Sequence, residues 1–358
     1  MNKVSITKLT MLLLISILLS GCKPQFPSVE KAYIVPQTNT QYRFFGISSL
    51  ALSPNGQTLV LEDLTQVQLE TGSGIRPFDH YEFLSPKLFQ VYSGPLDWSP
   101  DGQYLAITYF NDDRIHPNAN HYPIYIYDTQ SQTAFMANVL ASGFQHWSPF
   151  NTGNYFAGNL STGDWGVFSI TNTKLILQDK SIDFREEKEL RATGNYLWSK
   201  KLDIPIAVLS SLPTIDENGN RTENRQTAII SFSNQVDYEN PDYYVMVPTS
   251  PTNNLIDSTF DPTGTYILTL QLECQNDIKI QCSKDGFLST IDPNNVSDSV
   301  LTITNWRTGE QKELYRLSQI DMQHLVASRW SLAWSSDGST IIVGREDSTP
   351  VVLKLSYP

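Results

Sequence analysis

The stretch DWSPDGQYLAI, residues 97–107, decides the fold of this chain. It joins a tryptophan and a serine to a Pro-Asp-Gly turn and then continues into an apolar run. Proline presets φ for a turn, and glycine accepts a positive φ without steric cost. The run Leu105-Ala106-Ile107 has the continuous apolar character of a strand that is buried on both faces. The stretch therefore predicts a β-hairpin.

The same pattern recurs along the chain, so the hairpin is one unit of a repeat. Each copy has a bulky apolar residue, then Ser or Asp, then a turn that ends at glycine, then paired apolar residues. A sixth copy, NYLWSKKLDIPIAVL from residue 195, keeps Trp198 and Ser199 but lacks the glycine. The other five are LALSPNGQTLVL from residue 50, LDWSPDGQYLAI from 96, QHWSPFNTGNYFAG from 145, STFDPTGTYILT from 258 and LAWSSDGSTIIV from 332.

A third apolar segment follows each hairpin, and several units continue through a polar turn into a fourth. Four short antiparallel strands per repeat are typical of the blades of a β-propeller. We therefore predict an all-β fold, with a single propeller of six blades over residues 33–358 and seven blades as the alternative. The third segments are residues 66–69, 124–127, 167–170, 228–232, 300–303 and 351–355.

These repeats resemble the TolB-like and WD-like propeller repeats of exported bacterial proteins, whose hallmark is a Trp-Ser-Pro-Asp-Gly hairpin. The resemblance covers residues 42–358 and is strongest at Trp98 to Gly102. It implies a propeller fold. Because the family includes scaffolds, gating domains of peptidases and a few enzymes, the resemblance implies no single function.

The recurring tryptophans and the two ends of the repeat region have structural interpretations. Trp98, Trp147, Trp198 and Trp334 occupy one position in the repeat, so we expect them to pack between blades rather than to stack on a ligand. The last unit has three strands, and KAYIV, residues 31–35, precedes the first unit as a strand-like segment. We expect this segment to complete the last blade.

The N-terminal segment MNKVSITKLTMLLLISILLSGC predicts export and lipid attachment. Two lysines precede an apolar run over residues 9–19, which suits a signal peptide but is too short for a membrane-spanning helix. Its end, Leu19-Ser20-Gly21-Cys22, resembles a bacterial lipobox. The resemblance implies cleavage of residues 1–21, a lipid on Cys22 and a tether over residues 22–32. An ordinary signal peptide followed by a chance cysteine is the alternative.

Lipid attachment at Cys22 implies a protein anchored outside the cytoplasm. Lys23 follows the cysteine, and in enteric bacteria a residue other than aspartate at this position is similar to the pattern of outer-membrane sorting. The expected location is therefore the periplasmic face of the outer membrane in a Gram-negative host, and otherwise the outer face of the cell membrane. The remaining cysteines, Cys274 and Cys282 in CQNDIKIQC, are an even pair outside the cytoplasm and predict a disulfide. A thiolate metal site is the alternative, but the spacing does not fit zinc and no histidine is near.

The charge of the chain argues against nucleic acid as a partner. It has 37 acidic and 25 Lys and Arg residues, for a net charge of −12. This balance repels phosphate backbones, and no basic run opposes it. We therefore expect no nucleic-acid binding.

The longest insertions fall between the second and third strands of three units. They are residues 111–123, 212–225 and 273–299. Because strand direction alternates within a blade, these insertions are expected on one face of the disc, opposite the SPDG turns. Long loops on a rigid scaffold are commonly functional or disordered, so a recognition surface and tolerated insertions both remain open. Candidate binding residues within the insertions are Arg114, His121, Asp216 and Lys279.

Three further candidates, Asp97, His146 and Arg329, could face the central channel. The sequence has no Gly-x-Ser-x-Gly elbow, no His-Glu-x-x-His pair and no phosphate-binding loop. The segment from Asp216 loosely resembles the start of a calcium loop, but Arg221 and Thr227 stand where that loop needs glycine and glutamate. We therefore expect neither a metal nor a cofactor.

These features together favour a membrane-anchored, non-enzymatic propeller that binds a protein or an envelope polymer through the insertion face. One alternative is a hydrolase or lyase that acts on glycans or peptides at the channel mouth. Another is a structural component of the envelope with no dedicated ligand.

Overall fold

The computed structural model describes residues 26–36, 51–61, 65–75, 92–110, 122–141, 145–150, 154–157, 166–169, 184–215, 221–231, 244–247, 254–274, 296–318, 330–345 and 348–357. These residues form antiparallel sheets in a β-propeller arrangement. The all-β prediction is confirmed. Inner strands of neighbouring sheets contact one another, as between residues 51–52 and 92–98 and between residues 254–260 and 330–334.

The strands run in chain order through six sheets, with β1 (Ser28–Ile34) the one exception because it belongs to the last sheet. The first sheet contains β2 (Ala51–Leu52), β3 (Thr58–Val60), β4 (Gln66–Gln68) and β5 (Gly74–Ile75). The second contains β6 (Tyr92–Trp98), β7 (Tyr104–Phe110), β8 (Tyr122–Asp128) and β9 (Thr133–Ala141). The third contains β10 (Gln145–Trp147), β11 (Asn154–Ala157) and β12 (Gly166–Ser169).

The remaining three sheets complete the ring. The fourth contains β13 (Leu190–Thr193), β14 (Tyr196–Ser199), β15 (Ile204–Ile215), β16 (Arg221–Ser231) and β17 (Tyr244–Met246). The fifth contains β18 (Asn254–Phe260), β19 (Tyr266–Cys274), β20 (Val296–Asn305) and β21 (Gln311–Ser318). The sixth joins β22 (Trp330–Trp334), β23 (Thr340–Arg345) and β24 (Ser348–Ser356) to β1.

The number of blades differs from the expectation. Five sheets have the four or more strands of a complete blade, whereas the third has three among the residues described. The structure thus contains five complete blades, and the predicted count of six is not confirmed.

The WSPDG stretch forms the turn between β6 and β7, the two innermost strands of the second sheet, as predicted. The Gly102 amide donates to the Ser99 carbonyl at 2.8 Å, and the Ser99 amide donates to the Tyr104 carbonyl at 2.8 Å. The Ser99 hydroxyl accepts from the Tyr104 amide at 2.8 Å and donates to the Asp101 carboxylate at 2.6 Å. Serine and aspartate recur in the motif because their side chains satisfy main-chain groups inside the turn.

The fifth sheet explains why aspartate can replace the serine. In its DPTG turn, the buried Asp261 carboxylate accepts from the Tyr266 amide at 2.6 Å and from the Thr265 amide at 2.8 Å. The Gly264 amide donates to the Asp261 carbonyl at 2.9 Å, as in the serine turns. A hydroxyl and a carboxylate are both acceptors, so either residue builds the same turn.

The turn glycines allow a matched test of backbone strain against crowding. Gly56 and Gly102 both have a positive φ, of 62° and 73°. A Cβ on Gly102 would meet nothing closer than 3.8 Å, whereas one on Gly56 would lie 2.3 Å from the Thr340 hydroxyl oxygen. We expect Gly102→Ala to lower the free energy of unfolding by about 1 kcal/mol and Gly56→Ala to lower it by at least about 2 kcal/mol. Equal losses of unfolding free energy in the two variants, measured in urea, would show that the close approach of Thr340 does not add to the cost of the Gly56→Ala change.

The fourth sheet keeps the turn without its glycine. Asp203 adopts the positive φ, at 53°, and its amide donates to the Ser199 carbonyl at 2.8 Å. This bond spans one residue more than the Gly102–Ser99 bond, so the turn is longer. Aspartate tolerates the left-handed region better than most residues, and the Asp203 carboxylate accepts a hydrogen bond from the Ser148 hydroxyl.

Trp98, Trp147 and Trp198 pack between blades, as predicted, whereas Trp334 is only partly buried. Trp147 and Trp198 are fully buried, and Trp98 is 9 % exposed. The Trp147 indole donates to the Asp97 carbonyl at 3.0 Å, and the Trp98 indole donates to the Ala51 carbonyl at 3.3 Å. Each of these bonds joins a tryptophan to the inner strand of the preceding sheet.

The N-terminal strand completes the last sheet, as predicted for KAYIV. In this antiparallel pair Lys31 lies opposite Lys354 and Ile34 lies opposite Val351. Strand β1 begins at Ser28, which is inside the segment 22–32 predicted as a tether. Because β1 is the outermost strand, it joins the start of the chain to the end.

Candidate functional site

Most of the sequence-predicted site residues lie outside the described residues. Asp97, His146 and Cys274 lie within them. Cys274 ends β19, and its disulfide with Cys282 stays a prediction. The residues outside are Cys22, Arg114, His121, Asp216, Lys279, Cys282 and Arg329.

Asp97 and His146 are brought together at the inner strands of the second and third sheets. The His146 Nδ1 atom lies 3.5 Å from the Asp97 carboxylate, which is longer than a normal hydrogen bond. The same carboxylate oxygen accepts from the Trp147 amide at 2.7 Å. Asp97 therefore binds the main chain of the neighbouring sheet.

The environment of His146 is also part of the packing. Its ring lies 5.0 Å from the ring of Tyr196, centroid to centroid, and burial raises the pKa of the Tyr196 hydroxyl. A Cβ on Gly194 would lie 2.8 Å from the His146 ring. His146 thus fills the space between β10 and the turn that joins β13 to β14.

Asp257 forms a second contact of the same type between the fifth and sixth sheets. Its carboxylate accepts from the Leu332 amide at 2.9 Å and from the Ser258 amide at 2.8 Å. Burial of the carboxylate raises the pKa of Asp257 to about 6, and the two amides oppose that rise. The position has no counterpart in the SPDG motif, so sequence reasoning did not identify it.

The raised pKa of Asp257 predicts a pH dependence of stability. The Asp257 carboxyl holds its proton more tightly in the folded state than in the unfolded state. The ionised carboxylate therefore lowers the free energy of unfolding, and this loss is full above about pH 6 and disappears below about pH 4. Its full size is about 2 to 3 kcal/mol. In urea unfolding, the difference in free energy of unfolding between Asp257→Asn and the original chain should shift in favour of the variant as the pH rises from 4 to 7. A difference that is constant across this range would contradict the prediction.

Two cavities open on the face that carries the inner hairpin turns, here called the turn face. One, of about 480 Å³, is bordered by turns of five sheets and by β13. The other, of about 400 Å³, lies between the first and second sheets. Both include Pro54, Asn55 and Asp101 in their walls. The larger cavity is the mouth of the central channel on this face.

Strand β13 is an additional inner strand that the sequence analysis missed. Its Ala192 amide donates to the Pro262 carbonyl at 3.1 Å, and the Phe260 amide donates to the Gly194 carbonyl at 3.2 Å. The strand therefore joins the fourth sheet to the fifth at the channel mouth. The Gly194-Asn195 pair, a hairpin signal between β-forming residues, is the sequence feature that could have identified it.

The opposite face, here called the insertion face, differs from the expectation in one respect. The predicted loop 212–225 is largely a two-stranded ribbon, because β15 and β16 continue to pair from Leu212↔Gln226 to Ile215↔Arg221. Both strands contact β18 of the fifth sheet. The correction has a physical reason: pairing satisfies main-chain groups that a long loop would leave to water.

A charged cluster lies where the insertion 273–299 leaves the fifth sheet. Arg316 donates to Glu273, to Asp298 at 3.1 Å and to Glu313 at 2.7 Å. Hydrogen bonds from Arg316 lower the pKa of the Glu313 carboxyl. Three carboxylates around one guanidinium hold β19, β20 and β21 together at the base of the insertion.

The described part of the chain contains no group of three or more His, Cys, Asp or Glu placed to bind a metal. It also contains no helix with the length and apolar character needed to cross a membrane.

The fold places the protein in the class of β-propellers. No family model matches the chain, and no curated protein matches its sequence. Among solved structures it is similar to an oligogalacturonate lyase in complex with manganese, at 10 % identity and a TM-score of 0.41 over 85 % of this chain and 76 % of that one.

Two other solved structures are similar to this chain at the same sequence identity. One is a member of the DUF4221 family from Bacteroides vulgatus, at 10 % identity and a TM-score of 0.38 over 93 % of this chain and 98 % of that one. The other is an ancestral GH74 enzyme, at 10 % identity and a TM-score of 0.27 over 85 % of this chain and 56 % of that one. These similarities are too low to transfer an activity to this chain.

Proposed function

We propose that this protein is a lipid-anchored, non-enzymatic β-propeller of six blades that binds a protein or an envelope polymer through its insertion face. The sixth blade of this proposal is the third sheet, which has three strands among the described residues. The anchor is the predicted lipid on Cys22. The location is the periplasmic face of the outer membrane in a Gram-negative host, and otherwise the outer face of the cell membrane.

The observation that carries the proposal is the form of the insertion face. The ribbon extends the β15–β16 pairing beyond Leu212↔Gln226, both strands contact β18 of the neighbouring sheet, and Arg316 fixes the base of the next insertion. An insertion on a braced base holds its shape at a smaller entropy cost on binding than a slack loop does. Recognition elements placed on rigid supports therefore suit a binding platform.

The contacts of Asp97 and His146 support the non-enzymatic reading. A general base must be free to take a proton from a substrate, whereas the Asp97 carboxylate accepts the Trp147 amide at 2.7 Å. The alternative of a glycan- or peptide-processing enzyme at the channel mouth still has one observation in its favour, which is the 3.5 Å approach of His146 to Asp97.

The experiment is crosslinking in cells followed by purification of the anchored protein. One variant replaces residues 275–295 by a short Gly-Ser turn and carries Cys274→Ser, so that the pair Glu273↔Asp298 is kept. A second shortens the ribbon beyond the pair Leu212↔Gln226. The control is Glu70→Gln, an exposed residue at a turn on the opposite face.

We expect a specific partner with the original chain and the control, and its loss with one or both shortened variants. Capture of the same partner by every variant would refute binding through the insertion face. Turnover of a glycan or peptide substrate that disappears in His146→Ala, with the fold intact, would instead favour the enzyme.

A further inference from the structure

The chain enters the propeller at the turn face. Strand β1 starts with Ser28 opposite Ser356, beside the β22–β23 turn, because the Leu355 amide donates to the Ser339 carbonyl at 2.8 Å. The strand then runs toward the insertion face and ends at Ile34. The residue that precedes β1 is therefore on the turn face.

Two contacts hold the entering chain against this face. The Phe26 ring packs on the Tyr266 ring at a centroid distance of 5.4 Å, next to the DPTG turn. The Lys312 ammonium donates to the Pro27 carbonyl at 3.3 Å. The path toward Cys22 is thus fixed as far as Phe26.

The distance from Phe26 to Cys22 is short. Four residues of extended chain span at most about 14 Å. A lipid on Cys22 would therefore hold the turn face beside the bilayer and direct the insertion face away from it.

One turn on this face differs from the others in chemistry. The tips of four inner turns carry exposed polar residues, whereas the longer turn of the fourth sheet carries Lys200, Lys201 and Leu202, all exposed. Leu202 is 42 % exposed, and the Lys200 side chain is 57 % exposed although it pairs with Glu189 at 3.3 Å. The exposed tips of the other turns are Asn55, Asp101, Thr263 and Asp337.

We propose that the Lys200–Leu202 turn is a second membrane contact, which inserts Leu202 at the bilayer surface while the two lysines bind anionic lipid headgroups. This inference rests on the proposed lipid attachment at Cys22. An apolar side chain flanked by lysines is the chemistry of a bilayer interface, because the ammonium groups reach the headgroups while the leucine enters the acyl boundary. Lysines near an anionic membrane surface are attracted to it.

The tether explains why so small a contact is sufficient. A single leucine and two lysines would bind a membrane weakly from free solution. Attachment through Cys22 makes the second contact intramolecular and raises its effective concentration to the millimolar range or above. The contact then fixes the orientation of the disc rather than supplying the affinity.

The test uses the full lipidated protein in vesicles that contain anionic lipid and a quencher near the headgroups. A fluorophore is placed on Leu202→Cys or, as a matched control, on Ile34→Cys, since Ile34 is 51 % exposed at the opposite end of β1. We expect the Leu202 probe to be quenched at least about three-fold more than the Ile34 probe. Equal quenching, or stronger quenching at Ile34, would overturn the inference.

A second reporter separates the contact from the orientation. With the fluorophore on Thr263→Cys, another exposed tip of the turn face, the triple change K200Q, K201Q and L202S should reduce the quenching about two-fold. Unchanged quenching would show that the turn face approaches the bilayer without this contact. Co-sedimentation with vesicles is scored separately: a protein that does not sediment refutes the anchor itself, whereas a bound protein without quenching at Leu202 refutes only the contact.

Discussion

Removal of residues 26–36 should lower the melting temperature of the lipid-free protein by about 10 °C or more. The deleted segment contains β1, which is paired along its length with β24. It also contains Val35, which is 1 % exposed and whose amide donates to the Pro350 carbonyl at 3.2 Å. Without β1, the apolar surface around Leu353 and Leu355 faces water and the ring loses its closure.

The comparison is between chains that begin at Phe26 and at Gln37, measured by calorimetry. A synthetic peptide of residues 26–36 should raise the melting temperature of the shorter chain, because a ligand that binds only the folded state stabilises it, and this effect increases with ligand concentration. Identical melting temperatures for the two chains would refute closure by β1.

We expect Trp147→Ala to lower the free energy of unfolding by about 3 to 5 kcal/mol. The Trp147 side chain is fully buried and stacks on the Tyr104 ring at a centroid distance of 5.9 Å. Its indole also donates to the Asp97 carbonyl at 3.0 Å, so the change removes both a packed ring and a bond between sheets. Urea unfolding measures the loss.

Trp334→Ala is the matched control, because Trp334 occupies the same position of the repeat. Trp334 is only partly buried, and its indole donates to Gly338 of its own turn at 3.0 Å. We expect Trp334→Ala to lower the free energy of unfolding by about half as much as Trp147→Ala, or less. Equal losses of unfolding free energy in the two variants would mean that burial between sheets does not determine how much each tryptophan stabilises the fold.

The proposed membrane anchor and the strand that closes the ring belong to the same part of the chain. The strand that closes the ring also leads to the proposed anchor, since Ser28 follows Cys22 by six residues. Any force on the anchor would therefore act directly on the β1–β24 pair. Stability of the fold and the proposed attachment to the membrane would therefore depend on the same segment.

The sequence by itself determined the repeated unit. Ser99, Asp101 and Gly102 act within one turn, and the apolar run after them lies within one strand, so their pattern is readable without knowledge of distant residues. The position of the tryptophans between blades and the closure by KAYIV also followed from the repeat. Their common reason is that local hydrogen bonds and strand patterning specify each unit.

The tertiary structure alone decided how the units meet. Asp97 and Asp257 bind main-chain amides of neighbouring sheets, and β13 joins the fourth sheet to the fifth, through contacts between residues 50 or more positions apart. The ribbon at residues 212–226 likewise depends on pairing that the polar sequence of its tip does not indicate. Such contacts leave no local pattern, because their energy comes from groups that approach each other only after the ring has closed.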